Sequence, residues 1–254
     1  MIILLAALGI AGLLALLTLF FLRCRTVAPP FWSALSGHRF AHRGLHGPGA
    51  PENSLAAFLR AIEHGYGAEL DVHLLRDGTL AVFHDSALQR MTGKDGFLEE
   101  LDASALAHCR LDGTMQTIPQ LRDVLSLFEG TGLPLVIELK SFRGNHRALA
   151  AAVSAELAQW HVPYCIESFD PLCLWWFRRN RPQVLRGQLS MDFMAEPSGN
   201  GRLLDFGASH LLLNVLSYPD FIAYRFQDRQ VLALRLCRRL FHVHTFFWTI
   251  RSRA

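Results

Sequence analysis

Glu69 and Asp71 stand two apart in the run Ala68-Glu69-Leu70-Asp71-Val72, so a strand here puts both carboxylates on one face and Leu70 on the other. Carboxylates converging this way repel unless a cation or a proton joins them. Glu138 and Lys140 repeat the spacing after Leu135-Val136-Ile137. Together Glu69, Asp71 and Glu138 make an all-oxygen set suited to Mg²⁺ or Ca²⁺. His42 and His84 follow apolar runs at comparable places. A histidine pair beside a hard cation suits general base and general acid catalysis, with zinc ligation the competing use of the same ring. Arg43 and Lys140 add one bidentate and one compact positive group. Singly, each of these is an ordinary strand-end polar residue; the conjunction points to chemistry on a phosphate ester.

The elements that must position these groups read as alternating strands and helices. Strands are expected at 39–42, 68–72, 80–84, 133–139, 164–169, 184–189, 210–214 and 241–248, with helices at 54–64, 120–127, 147–160, 171–180, 200–206 and 228–240. Such alternation is the signature of a parallel sheet with crossover helices. Polar residues recur at the C-terminal end of strand after strand, which favours the mouth of a (β/α)8 barrel over the single switch point of a doubly wound sheet. Asp77-Gly78 lies between two apolar runs and is a strong hairpin signal, so 80–84 is expected to turn back beside 68–72. The parallel count then falls to seven.

The chain has 254 residues, 51% of them apolar, and 25 Lys plus Arg against 22 Asp plus Glu give a net charge of +3. That balance excludes a nucleic-acid binder working by bulk electrostatics, and the apolar content excludes disorder. Ile2–Leu22 carries no charge and, as a helix, spans roughly 31 Å, about the hydrocarbon thickness of a bilayer. No basic leader or small-residue cleavage site marks a signal peptide, so a single-pass anchor over 1–25 is expected, followed by a connecting segment, 26–38, with the breaker pair Pro29 and Pro30. Arg23, Arg25, Arg39 and Arg43 on the C-terminal flank place the domain on the cytoplasmic side of the cell membrane by the positive-inside tendency. Residues 39–254 contain no linker that would divide them. Five widely spaced cysteines, at 24, 109, 165, 173 and 237, form neither a disulfide framework nor a zinc pattern. Trp175, Trp176 and Phe177 with Arg178 and Arg179 are either an interface-seeking cluster or an inward-packed helix stripe.

Ala41-His42-Arg43-Gly44, Pro51-Glu52-Asn53-Ser54, Glu69-Leu70-Asp71-Val72, Asp77-Gly78, His84-Asp85 and Glu138-Leu139-Lys140, in this order, resemble the glycerophosphodiester phosphodiesterase family. Ser168-Phe169 and Trp248-Thr249-Ile250 resemble its later motifs, so the likeness runs through most of 39–250. The resemblance implies a TIM-type (β/α)8 barrel that hydrolyses glycerophosphodiesters to sn-glycerol 3-phosphate and an alcohol with a divalent cation, Mg²⁺ or Ca²⁺. Carried over, His42 and His84 would be the acid/base pair, and Glu69, Asp71 and Glu138 the metal ligands. Arg43, Lys140 and Trp248 would bind substrate, and Glu52 would bind or orient the cation. The chain departs from the family pattern at Leu75 and Arg251, and it stops at Ala254, where the family continues with a final helix and strand, so a barrel short of its closing βα unit is expected. Two other readings share this fold: a membrane-associated lysophospholipase D-like hydrolase acting on lysophospholipids, and a catalytically impaired scaffold or sensor. Retention of both histidines and all three carboxylates argues against the second.

Overall fold

The computed structural model describes residues 1–25 and 32–250. Pro29, Pro30, Arg251 and Ala254 therefore lie outside the described residues. The chain divides into two compact units, Pro29–Leu185, and Met1–Ala28 with Arg186–Ala254.

In the first unit β1 (Phe40–Ala41), β2 (Gly67–Leu74), β4 (Leu135–Leu139) and β5 (Tyr164–Ser168) run parallel in the order β1-β2-β4-β5. The Asp-Gly turn does reverse the chain: β3 (Leu80–Val82) pairs antiparallel with β2, Val72 opposite Val82 and Leu74 opposite Leu80. Side chains alternate along β2, so Ala68, Leu70 and Val72 pack into a core with Phe58, Phe128 and Phe177 while Glu69, Asp71 and His73 occupy the other face. Helices between the strands carry their own start signals. Ser54 caps Leu55–Glu63 by accepting from the Ala57 N–H, Gln120 and Asp123 form a capping box on Leu121–Phe128, and Asp170 caps Pro171–Asn180. The aromatic cluster of that last helix splits: Phe177 is buried in the core, whereas Trp175 is exposed beneath the Arg179 guanidinium. After β3 the chain builds a small satellite core around Phe83, Leu88, Leu98 and Leu111.

In the second unit β6 (Arg186–Ser190), β7 (Phe221–Arg225) and β8 (His244–Trp248) are parallel. The strand expected at 210–214 does not form. Leu212 N–H bonds back to the Gly207 carbonyl and Leu211 takes φ 58°, so this apolar run closes the helix Arg202–Ser209 and the strand begins at Phe221 instead. Gly187 is required where it stands, because a Cβ there would lie 2.0 Å from the Phe221 ring. The N-terminal helix Ile2–Leu22 is long and apolar enough to cross a membrane, a test that a signal sequence also passes. At its end Leu22, and just beyond it Cys24, are buried with Leu234 and Cys237, and Arg25 pairs with Asp220. All five cysteines are free and buried. Among the described residues seven parallel strands alternate with helices, an incomplete (β/α)8-type arrangement.

Candidate active site

Strand register assembles the site within the first unit. Asp71 lies opposite Glu138 on β4, and Glu138 opposite Glu167 on β5, so three carboxylates form one row across three strands with Glu69 one pleat earlier on the same face. Ligand oxygens of Glu69, Glu138 and Glu167 all lie within 4.8 Å of one another. Burial, and then mutual repulsion, pushes Glu69 and Glu167 well above the usual carboxylate range, and burial raises Glu138 to about 7. Buried oxygens that repel and share no proton donor in common are the donor set a hard divalent cation compensates, so the residues present fit such an ion.

Asp71 is differently engaged. Its Oδ2 accepts from Asn53 Nδ2 at 2.8 Å and lies 3.5 Å from Arg43 Nε, while its Oδ1 is 3.0 Å from Lys140 Nζ. Burial alone would raise its pKa; the charges of Lys140 and Arg43, with the Asn53 hydrogen bond, overturn that and hold the carboxyl well below the usual range. Lys140 also reaches Glu138 Oε1 at 2.7 Å. Thus Lys140 is fixed between two carboxylates of adjacent strands and stays protonated.

His42 and Arg43 leave β1 at a sharp turn in which Arg43 has φ 55° and Gly44 φ 76°, and a Cβ on Gly44 would sit 2.8 Å from Ala57. That turn directs the Arg43 N–H to Glu69 Oε2 at 2.9 Å and brings His42 Nε2 to 3.9 Å from the same oxygen. His84 follows β3, its Nδ1 donating to Asp85 Oδ1 at 2.5 Å, which leaves Nε2 for chemistry. Burial, then the charge of Arg43, lowers His42 to about 4; burial, then the charge of Lys140, lowers His84. Both rings are therefore poised as neutral imidazoles at pH 7.

Glu52, expected to bind or orient the cation, is held by the guanidinium groups of Arg43 and Arg90, and Arg90 also grips Asp85. Trp248 belongs to the other unit, at the end of β8, where it lines a cavity of about 420 Å³ with Glu196, Arg225, Gln227 and Thr249. Sequence reasoning missed Glu167, Asn53 and Arg90. Glu167 had a usable signal, since a lone acid near the end of the apolar run Tyr164-Cys165-Ile166 repeats the Glu138 pattern.

The sequence model of the glycerophosphoryl diester phosphodiesterase family matches residues 42–244. A glycerophosphodiester phosphodiesterase of Bacillus altitudinis is 33% identical over 168 residues, covering 62% of this chain and 68% of that one. A lysophospholipase D of Homo sapiens is 34% identical over 133 residues, covering 47% of this chain and 40% of its own. Among solved structures, a phosphodiesterase of Oleispira antarctica in complex with the product sn-glycerol-3-phosphate superposes with a TM-score of 0.68 at 25% identity, covering 87% of each chain. From this match and the ordered motifs that carry it, the chain belongs to the glycerophosphoryl diester phosphodiesterase family.

Proposed function

We propose that the chain hydrolyses glycerophosphodiesters to sn-glycerol 3-phosphate and an alcohol. The observation that carries this reading is the gathering, in one cluster, of three buried carboxylates that demand a cation with two neutral histidines and two cationic side chains, all four partly exposed. The product held by the Oleispira antarctica protein and the activity named for the Bacillus altitudinis protein support it.

Glu69 and Glu138, with Glu167 beside them and Asp71 in the same row, would hold Mg²⁺ or Ca²⁺. When bound, such an ion polarises a phosphoryl oxygen as a Lewis acid. Arg43 and Lys140 offset the negative charge that develops on the other phosphoryl oxygens. One of His42 and His84 takes the proton from the attacking oxygen, water or the glycerol 2-hydroxyl, and the other protonates the alcohol oxygen as the P–O bond breaks. Asp85 on Nδ1 fixes the His84 tautomer, so that Nε2 exchanges the proton. Ile2–Leu22 would anchor the enzyme in the cell membrane with its domain on the cytoplasmic side.

That apolar helix and the human relative favour a second substrate class, the lysophospholipids. The decisive assay gives the detergent-solubilised chain glycerophosphocholine or a long-chain lysophosphatidylcholine, with Mg²⁺, Ca²⁺ or EDTA. Metal-dependent release of sn-glycerol 3-phosphate from the former is the expected result. Preferential turnover of the acylated substrate moves the enzyme to the second class, and no metal-dependent hydrolysis of either refutes both.

A further inference from the structure

His73 is the third polar residue on the site face of β2, two beyond Asp71, and it is only 1% exposed. A polar ring so deeply buried has to be partnered, and both of its nitrogens face oxygen acceptors. Nδ1 lies 2.7 Å from Glu99 Oε1 and Nε2 lies 3.3 Å from the backbone carbonyl of His84. Glu99 comes from the short 3₁₀ turn Leu98–Glu100 that follows β3, and the same Oε1 accepts from Ser86 Oγ at 2.8 Å. The Leu98 N–H closes the arrangement on the Ser86 carbonyl, also at 2.8 Å. One carboxylate therefore grips the tripeptide His84-Asp85-Ser86 at both ends, through the His73 ring at residue 84 and directly at residue 86. Between those ends Asp85 holds the His84 ring.

Buried ionic networks are often no more stable than the apolar packing that could replace them, so stability alone gives weak reason for one here. Its geometry supplies a better reason. A backbone segment leaving a short strand is free to shift, and a displacement of 1 Å at a proton-transferring ring costs on the order of 100-fold in rate. We propose that His73, Glu99 and Ser86 are positioning residues that lock the backbone under His84, so that its Nε2 meets the reacting oxygen without rearrangement. This rests on the acid/base reading of His84.

The test is a set of kinetic cycles on the full chain, saturated with Mg²⁺, with glycerophosphocholine as substrate. His73→Leu removes both ring hydrogen bonds and is expected to lower kcat about 10- to 100-fold with KM within about 2-fold. His73→Gln, which can still donate to the His84 carbonyl, is expected to recover part of that loss. Ser86→Ala removes a single hydroxyl and is expected to cost about 3- to 10-fold; it carries the test if His73→Leu does not fold. In a His84→Ala background neither substitution should lower the residual rate further, because a positioning residue has nothing left to position. Equal losses in both backgrounds, or thermal destabilisation with unchanged kcat, overturn the proposal. Wild-type turnover by His84→Ala alone removes the acid/base reading itself, a result obtained from a different variant.

Discussion

Replacing Glu167 by Gln tests the carboxylate cluster through two opposing effects on stability, one without metal and one with it. In wild-type protein stripped of metal, Glu167 lies with Glu69 and Glu138 inside a 4.8 Å limit. Two full charges at that separation repel by about 3.5 kcal/mol at an effective dielectric constant of 20. Burial raises the pKa values of all three, so protons already neutralise part of this charge at pH 7, and about 1–2 kcal/mol of relief is expected from the isosteric amide. In EDTA the variant should therefore melt higher, by roughly 2–6 °C for a chain of this size. Metal works the other way and removes about 1.3 to 2.3 kcal/mol of that advantage. Wild type at 100 times its Kd gains about 2.7 kcal/mol, and a variant that binds 10- to 100-fold more weakly gains only about 1.4 to 0.4 kcal/mol at the same concentration. Thermal melts across a Mg²⁺ or Ca²⁺ titration read both effects without reference to turnover. A variant that melts lower than wild type in EDTA, or that keeps the full metal-induced shift, refutes the assignment of Glu167 to the cluster.

Asp71→Asn should destabilise by about 3–5 kcal/mol, because it strips a buried counter-charge from Lys140 and Arg43; a Tm within about 2 °C of wild type contradicts this. The same variant should weaken the metal titration if Asp71 is a ligand, and an unchanged titration leaves it as counter-charge alone. Ala at His42 should lower kcat by about 10²- to 10⁴-fold with the fold retained by circular dichroism, and near-normal turnover rejects its proton-transfer role. His42 also predicts a pH dependence of stability. Its folded pKa is lowered from 6.5 to about 4, so unfolding takes up a proton in that window; its contribution is complete above pH 6.5 and lost as pH falls to about 4. Wild-type urea midpoints should accordingly fall more steeply than those of His42→Ala between pH 6.5 and 4, and parallel curves would dismiss the shift. In right-side-out membrane vesicles, external protease should leave the domain intact, and its digestion would reverse the proposed orientation.

Much of this protein is legible in its sequence because the relevant signals are local. Alternation in Ala68-Glu69-Leu70-Asp71 fixes which side chains share a face, Asp77-Gly78 fixes where the chain reverses, and the order of short motifs identifies the family. The charge-free run Ile2–Leu22 is likewise visible without a fold. Local pattern fails where a segment's state depends on its neighbours. The run at 210–214 has strand composition, yet it closes a helix because the Leu212 N–H finds the Gly207 carbonyl, and residues 221–225 take the place in the sheet beside β6. Register is the other quantity that only tertiary structure decides. Pairing of β2, β4 and β5 places Asp71, Glu138 and Glu167 in one row although 67 and 29 residues separate them along the chain, and proximity then sets Lys140 between Asp71 and Glu138 and brings the glutamates to one another. His73 and Glu99 meet because the turn Leu98–Glu100 packs back against β2, 26 residues away along the chain. Spacing along a strand determines direction, whereas contact between strands is set by long-range hydrogen bonding that no local window contains.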